Sequence, residues 1–368
     1  AQGNRASSAG CGPAPEPRRG AAAMGFAGVA AVAAGYHHTL VLSTEGAVFA
    51  AGRNQLGQLG VTTPQKQAEP VRVPLPAQAA QVAAGYYHSV FLLSNGTAYT
   101  AGWNQYGQLG DGTREDRRKP VRVPLAEVLV GVAAGFYHTA FLTEGGLVYT
   151  TGHNWAGQLA DGSYVTRSHP VPITEAGVTG IASIAAGGWH TILLRRDGIA
   201  FVAGWNRDGQ LGAAAAVSFR ERPERLDLEA VQSVAAGFEH SIFLCRDGVV
   251  FTVGDNAWGQ LGDGTQVSRR RPVRVPLAGV EAISAGGHHS VFLLPNGTAL
   301  AAGLNVRGQL GDGSRRKRRG LVRVALGGVR AASAGDLHTA LVTRGGQAFA
   351  VGANGYGQLG AGGFAELG

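Results

Sequence analysis

Short apolar runs alternate along this chain with polar turns built on glycine. Ser89-Val90-Phe91-Leu92-Leu93 is apolar and partly β-branched, Ser94-Asn95-Gly96 follows, and Thr97-Ala98-Tyr99-Thr100-Ala101 resumes the run. Asn-Gly accepts the positive φ of a tight hairpin turn, so the pattern predicts two antiparallel strands. Asp197-Gly198 and Asp247-Gly248 repeat the signal. Gln81-Val82-Ala83-Ala84 predicts a strand before the hairpin, and Pro120-Val121-Arg122-Val123-Pro124-Leu125 one after it. Proline at both ends of that last run suits an edge strand.

The four-strand pattern recurs seven times. Copies centre on His38, His88, His138, His190, His240, His289 and His338. Each has a Gly three residues before the His, a second Gly eight after it, and a third six further on. Asn follows that third Gly by two positions, and the Gln of Gly-Gln-Leu follows it by six. From each Gln to the next His is 29 to 32 residues, which leaves no room for a long insertion. A fixed period of about 50 residues marks a repeat architecture, and a lone four-stranded sheet cannot bury its faces. The expected fold is therefore all-β, a seven-bladed β-propeller of four-stranded antiparallel blades.

Gly-x-x-His-[Thr/Ser], then Gly, then Gly-x-Asn-x-x-Gly-Gln-Leu-Gly resembles the RCC1 (regulator of chromosome condensation) repeat family over about Phe26 to Gly360. The resemblance implies a single propeller over 26–368, preceded by an N-terminal tail over 1–25. It implies less about function, because one fold hosts many. The founding member is a nucleotide exchange factor for a small GTPase, docked on chromatin, and works through a hairpin wedge in one blade. The near-constant blade lengths here leave no obvious wedge, which weighs against exchange activity and a small-GTPase partner. Clustered tryptophans in Gly-Trp-Arg-His-Thr copies, as in a plant ultraviolet receptor of the family, are not reproduced. Only Trp189 precedes a repeat His, and Trp103, Trp155, Trp205 and Trp258 are expected to be packing residues.

The chain has 368 residues, 59 of them Gly, and the phasing of those glycines marks them as turn and packing positions. No apolar run approaches the ~20 residues of a membrane helix, so no membrane role is expected. Two cysteines, Cys11 and Cys245, make no disulfide framework and fit a reducing compartment. The tail carries Arg5, Arg18 and Arg19 with one acid, Glu16, and resembles an organellar transit peptide. That points to a mitochondrial location, with nuclear, cytoplasmic or ciliary placement as the alternative. The seventh copy lacks an outer segment, and the tail near Pro15-Glu16-Pro17-Arg18 is expected to supply it and close the ring.

Seven histidines at one repeat position are spread around a ring, too far apart for the ~2 Å bonds of one metal. Each is expected to hydrogen-bond within its own blade. His37, His153, His169 and His288 have no ligand spacing. Gly-Gln-Leu-Gly lacks the Gly-Lys-[Ser/Thr] of a phosphate loop. No nucleophile–base pair stands out, so the expected protein is no enzyme and needs no cofactor. Asp111, Asp161, Asp263 and Asp312, each before a Gly, read as turn residues.

Net charge is +8. Its least repeat-like part is three runs: Arg117-Arg118-Lys119, Arg269-Arg270-Arg271 and Arg315-Arg316-Lys317-Arg318-Arg319. They fall in one loop of their blades, at one level of the ring, and Arg122, Arg274 and Arg323 are expected to add to them from the next strand. Such a patch suits phosphate contacts with salt-dependent affinity, or an acidic protein. Aromatics do not interleave with the runs in sequence, which argues against base readout. The expected function is a structural subunit of a larger assembly, a ribonucleoprotein such as an organellar ribosome, with protein and RNA partners. A protein-only scaffold in a ciliary or ligase complex is the alternative, and guanine-nucleotide exchange a third reading.

Overall fold

The structure is a computed structural model that describes residues 20–62, 65–212 and 217–366. Seven four-stranded antiparallel sheets form a β-propeller. In blade two, Ala79–Ala84 lines the inside, His88–Leu93 and Ala98–Gly102 follow, and Arg117–Arg122 is outermost. Blades one and three to six repeat this order. The second strand of each carries the buried apolar residues. Phe91, Phe141, Phe243 and Phe292 are fully buried and pack between neighbouring sheets.

Ring closure uses the N-terminal segment. Blade seven consists of Val329–Ala334, His338–Thr343 and Ala348–Gly352, and its outer strand is Ala22–Ala23, paired Ala22↔Ala350 and Ala23↔Phe349. Met24 continues the pairing, donating its N–H to Ala348 O at 2.9 Å. This strand lies four residues before the boundary read from the repeats. Pro15 to Arg18, expected to do the closing, lie outside the described residues.

The outer strands also differ from expectation. They begin three residues before Pro120 and Pro272, at Arg117 and Arg269, and place the proline inside the strand. A register shift there, between Thr100 and Gly102 in blade two, leaves the missing N–H without a ladder partner to lose.

Candidate interaction face

The turn from inner to second strand starts on the recurrent glycine. A Cβ on Gly135 would lie 2.3 Å from His138 Cε1 and 2.5 Å from the Gly187 carbonyl of blade four. Only glycine lets the ring and the next blade's backbone approach so closely. His138 then reaches past its own blade: Nε2 sits 2.9 Å from Thr191 Oγ1 in blade four. All seven histidines do this, His38 to Ser89, His88 to Thr139, His190 to Ser241, His240 to Ser290, His289 to Thr339, and His338 to Thr39 across the closure. The bond joins blades rather than staying within one, because the imidazole points around the ring toward the next second strand.

Each of those hydroxyls has one hydrogen, and it goes to the backbone carbonyl of the preceding blade's Gly-Gln-Leu glutamine at 2.6 or 2.7 Å, as Thr191 to Gln158 O. The hydroxyl therefore accepts from Nε2–H, which fixes the tautomer and leaves Nδ1 as an unprotonated, buried nitrogen with no partner. A second proton would have nowhere to bond. Burial accordingly pushes all seven imidazoles down to about 3. The ring is a structural belt of seven neutral histidines.

Register puts the basic runs at the same end of the blades as these turns. His88 pairs with Gly102 and Gly102 with Arg117; His240, Gly254 and Arg269 make the same row, as do His289, Gly303 and Arg318. Arg117–Lys119 and Arg269–Arg271 lie in strands, not in a loop; of the third run only Arg315 to Lys317 precede the strand. Arg274 and Arg323 pair with Phe251 and Leu300, five residues down the outer strand. At ~3.3 Å per residue these two and Arg122 lie roughly 10 to 13 Å beyond the last residue of each run, toward the opposite end of the rim.

One arginine of each run, the one that opens the outer strand, is also committed internally. Arg117, Arg269 and Arg318 bond Asp111, Asp263 and Asp312 at 2.7, 2.9 and 2.8 Å, and Arg167 does the same with Asp161 at 3.1 Å. These aspartates are more than turn residues. Asp263 Oδ1 accepts from Asn256 Nδ2, Thr265 N and Thr265 Oγ1, while Oδ2 accepts from Arg269. Arg118 and Arg270 donate to Gln55 O and Arg207 O of the preceding blade. Arg315 faces Glu366 at 3.7 Å. Within the three runs, Arg118, Lys119, Arg270, Arg271, Arg316, Lys317 and Arg319 are exposed and, among the described residues, without an ion pair. Five of the seven lie on blades five and six.

Aromatic side chains share this face. Trp155 touches Trp189, Trp205 and Phe219 at centroid distances of 5.6, 5.0 and 5.4 Å, and Trp103 stands 5.1 Å from Tyr137. Trp155 and Trp258 are 40% and 36% exposed, so they are surface groups rather than core packing. Lys317 Nζ lies 5.5 Å above the Trp258 ring. That pairing was hidden in sequence because the two residues sit on different blades.

The channel mouth carries one unusual acid. The turn position just after the recurrent Gly holds Tyr36, Tyr86, Phe136, Gly188, Phe238 and Gly287 in six blades and Asp336 in the seventh. Asp336 is 6% exposed, and burial raises its carboxyl to about 7. Its folded value lies above the unfolded one, so the fold is penalised increasingly from pH 4 to 7 and fully above that. The shift corresponds to about 4 kcal/mol, part of which a buried Asn amide would still incur. Asp336→Asn is expected to stabilise the protein by about 2 kcal/mol at pH 8, with the gain fading toward pH 4, as denaturant midpoints at the two pH values would show.

The sequence profile of the RCC1-like domain matches residues 123–366. Profiles of the RCC1 repeat match 45–92 and 95–142, and 29–58 and 79–108. No curated protein matches the chain. Among solved structures, human WBSCR16 is similar at 26% identity and TM-score 0.77, over 88% of this chain and 85% of that one. Prp20p from Saccharomyces cerevisiae, described with its binding to Gsp1p and histones, is similar at 25% identity and TM-score 0.76, over 88% and 81%. The same yeast protein bound to Kap60 gives 24% and 0.76, over 88% and 79%, a likeness of fold. Seven phased blades, their clasped histidines and a domain profile covering most of the chain place this protein in the RCC1-like β-propeller family.

Proposed function

We propose that this propeller is a non-catalytic interaction subunit of a ribonucleoprotein, and that it contacts RNA through the face bearing the histidine turns. The carrying observation is the set of unpaired cations on blades five and six: Arg270, Arg271, Arg316, Lys317 and Arg319. Exposed Trp258 beneath Lys317 adds a flat apolar surface of the kind on which unpaired bases stack. Phosphate neutralisation by such a patch releases counterions, which makes affinity salt-dependent and largely sequence-independent.

The test is fluorescence anisotropy of single-stranded RNA with the full chain across a salt series. Charge reversal at Arg270, Arg271, Arg316 and Arg319 is expected to weaken binding about 100-fold near 0.15 M salt and to lower the salt slope by about 3. Reversal at Arg274 and Arg323, on the far end of the rim, is expected to leave both unchanged. Equal losses from the two variants would reject the face.

Prp20p favours a second reading. That protein was described with its binding to Gsp1p, and this chain is similar to it over 88% of its length. Guanine-nucleotide exchange predicts accelerated nucleotide release from a small GTPase. No blade carries an additional hairpin among the described residues, which makes this the weaker reading.

A further inference from the structure

The central channel forms a cavity of about 380 Å³ with unequal walls. Blades one to five line it with alanines and branched aliphatics such as Ala33, Ala83 and Ile184 and with the amide of Gln81, while blades six and seven contribute Ser284 and Ser333. Toward the histidine turns it narrows to a set of aromatic rings. Tyr36 stacks on Tyr86 at 3.9 Å, Tyr86 lies 4.7 Å from Phe136, Phe136 meets Phe238 at 3.7 Å, and Phe238 is 6.4 Å from Tyr36. Asp336 completes this ring of side chains. Its carboxylate lies over Gly287, where an added Cβ would come within 2.3 Å of Oδ1.

Among the described residues Asp336 makes no ion pair, although it is 6% exposed and borders the cavity. A buried carboxylate without a partner destabilises the free protein, and such a cost is commonly kept where a ligand offsets it. The surroundings decide which cation. A hard metal ion favours several carboxylate or carbonyl side-chain oxygens, and Asp336 is the one carboxylate of this lining. Rings and one carboxylate suit an organic cation, which is attracted by aromatic faces within ~6 Å and desolvates more readily. The largely aliphatic bore suits an aliphatic stem.

We propose that the aromatic end of the central channel binds an alkylammonium group, with Asp336 as counter-ion and Tyr36, Tyr86, Phe136 and Phe238 as its cage. The ammonium enters on its aliphatic stem and completes a charge pair that the free fold leaves open. The stem belongs either to a free polyamine or to a lysine side chain of a bound partner.

Titration calorimetry on the full chain separates these. The probes are n-butylammonium, spermidine and Nα-acetyl-lysine amide, with n-butanol as the uncharged control. Ammonium probes are expected to bind below about 10 mM while n-butanol does not, and Asp336→Asn is expected to weaken them at least tenfold. Because that variant is expected to fold more stably, its loss of binding would not reflect unfolding. Phe238→Leu, which keeps apolar volume but removes one ring face, should weaken the ammonium probes several-fold and leave n-butanol unchanged. Tighter spermidine assigns the site to a free polyamine; tighter acetyl-lysine amide assigns it to a partner's lysine. Equal binding by wild type and Asp336→Asn, n-butanol matching n-butylammonium, or no binding by any ammonium probe would overturn the proposal.

Discussion

Lowering the pH from 7 to about 5 is expected to unfold this propeller cooperatively, before most of its carboxylates titrate. The cause is the belt of seven neutral histidines, each held at about 3 in the fold against 6.5 in the unfolded chain. Their folded values are depressed, so the stability they contribute is complete above 6.5 and is lost as the pH falls toward 3. Below 6.5 each histidine costs about 1.4 kcal/mol per pH unit, and seven together cost roughly 10. That matches the whole stability of an ordinary domain, ~5–15 kcal/mol. Asp336 acts in the opposite sense, since protonating it relieves a penalty, but one acid offsets only a fraction of seven bases. Guanidinium midpoints from pH 8 to 5.5 measure this. The pH slope near 5.5 should approach seven protons taken up on unfolding; a slope of one or two would mean the rings protonate inside the fold. Replacing His138 by Gln should lower the slope by about one proton.

Gly135→Ala is expected to cost about 4 kcal/mol or more, enough to threaten folding, by overpacking that no side-chain rotation relieves. The new Cβ would press on His138 Cε1 at 2.3 Å and on the Gly187 carbonyl at 2.5 Å. Moving either breaks the clasp between blades three and four, where Phe136 N–H also donates to Gly187 O at 3.2 Å. Gly145→Ala is the control, because its Cβ would meet nothing nearer than Thr143 Oγ1 at 3.9 Å. Thermal or denaturant midpoints should separate the two variants widely. Similar midpoints would mean that the inter-blade contact is looser than the geometry describes.

Much of this fold was legible because the motif residues are structural. Gly52, at φ 112°, backs onto the His37 carbonyl; Asn54 Oδ1 accepts from Leu59 N; Gln58 Oε1 accepts from Leu56 N. Such short-range demands recur in each copy, so period and phase expose them. The direction of the histidine bond was not legible. In a perfect repeat, a hydroxyl one residue on and one about 51 residues on are the same symbol, and only the tilt of the ring chooses between them. The aspartate anchor could have been found: Asp111–Arg117, Asp161–Arg167, Asp263–Arg269 and Asp312–Arg318 keep one spacing of six. That spacing also shows why counting charges overstated the patch. Arg117, Arg269 and Arg318 are internal, and Arg274 and Arg323 sit three and four residues beyond the ends of their runs. The set of rings at the channel end is long-range, assembled from four blades at a position where the seven copies disagree.

The most direct test of the interaction-subunit reading is sedimentation of the native protein from an extract of its own cells, with and without ribonuclease. The account predicts a large particle that collapses on ribonuclease treatment, and a variant with Arg270, Arg271, Arg316 and Arg319 reversed that runs free. A particle that survives ribonuclease would make the partner an acidic protein, and a protein that runs small and free under both conditions would contradict the reading outright.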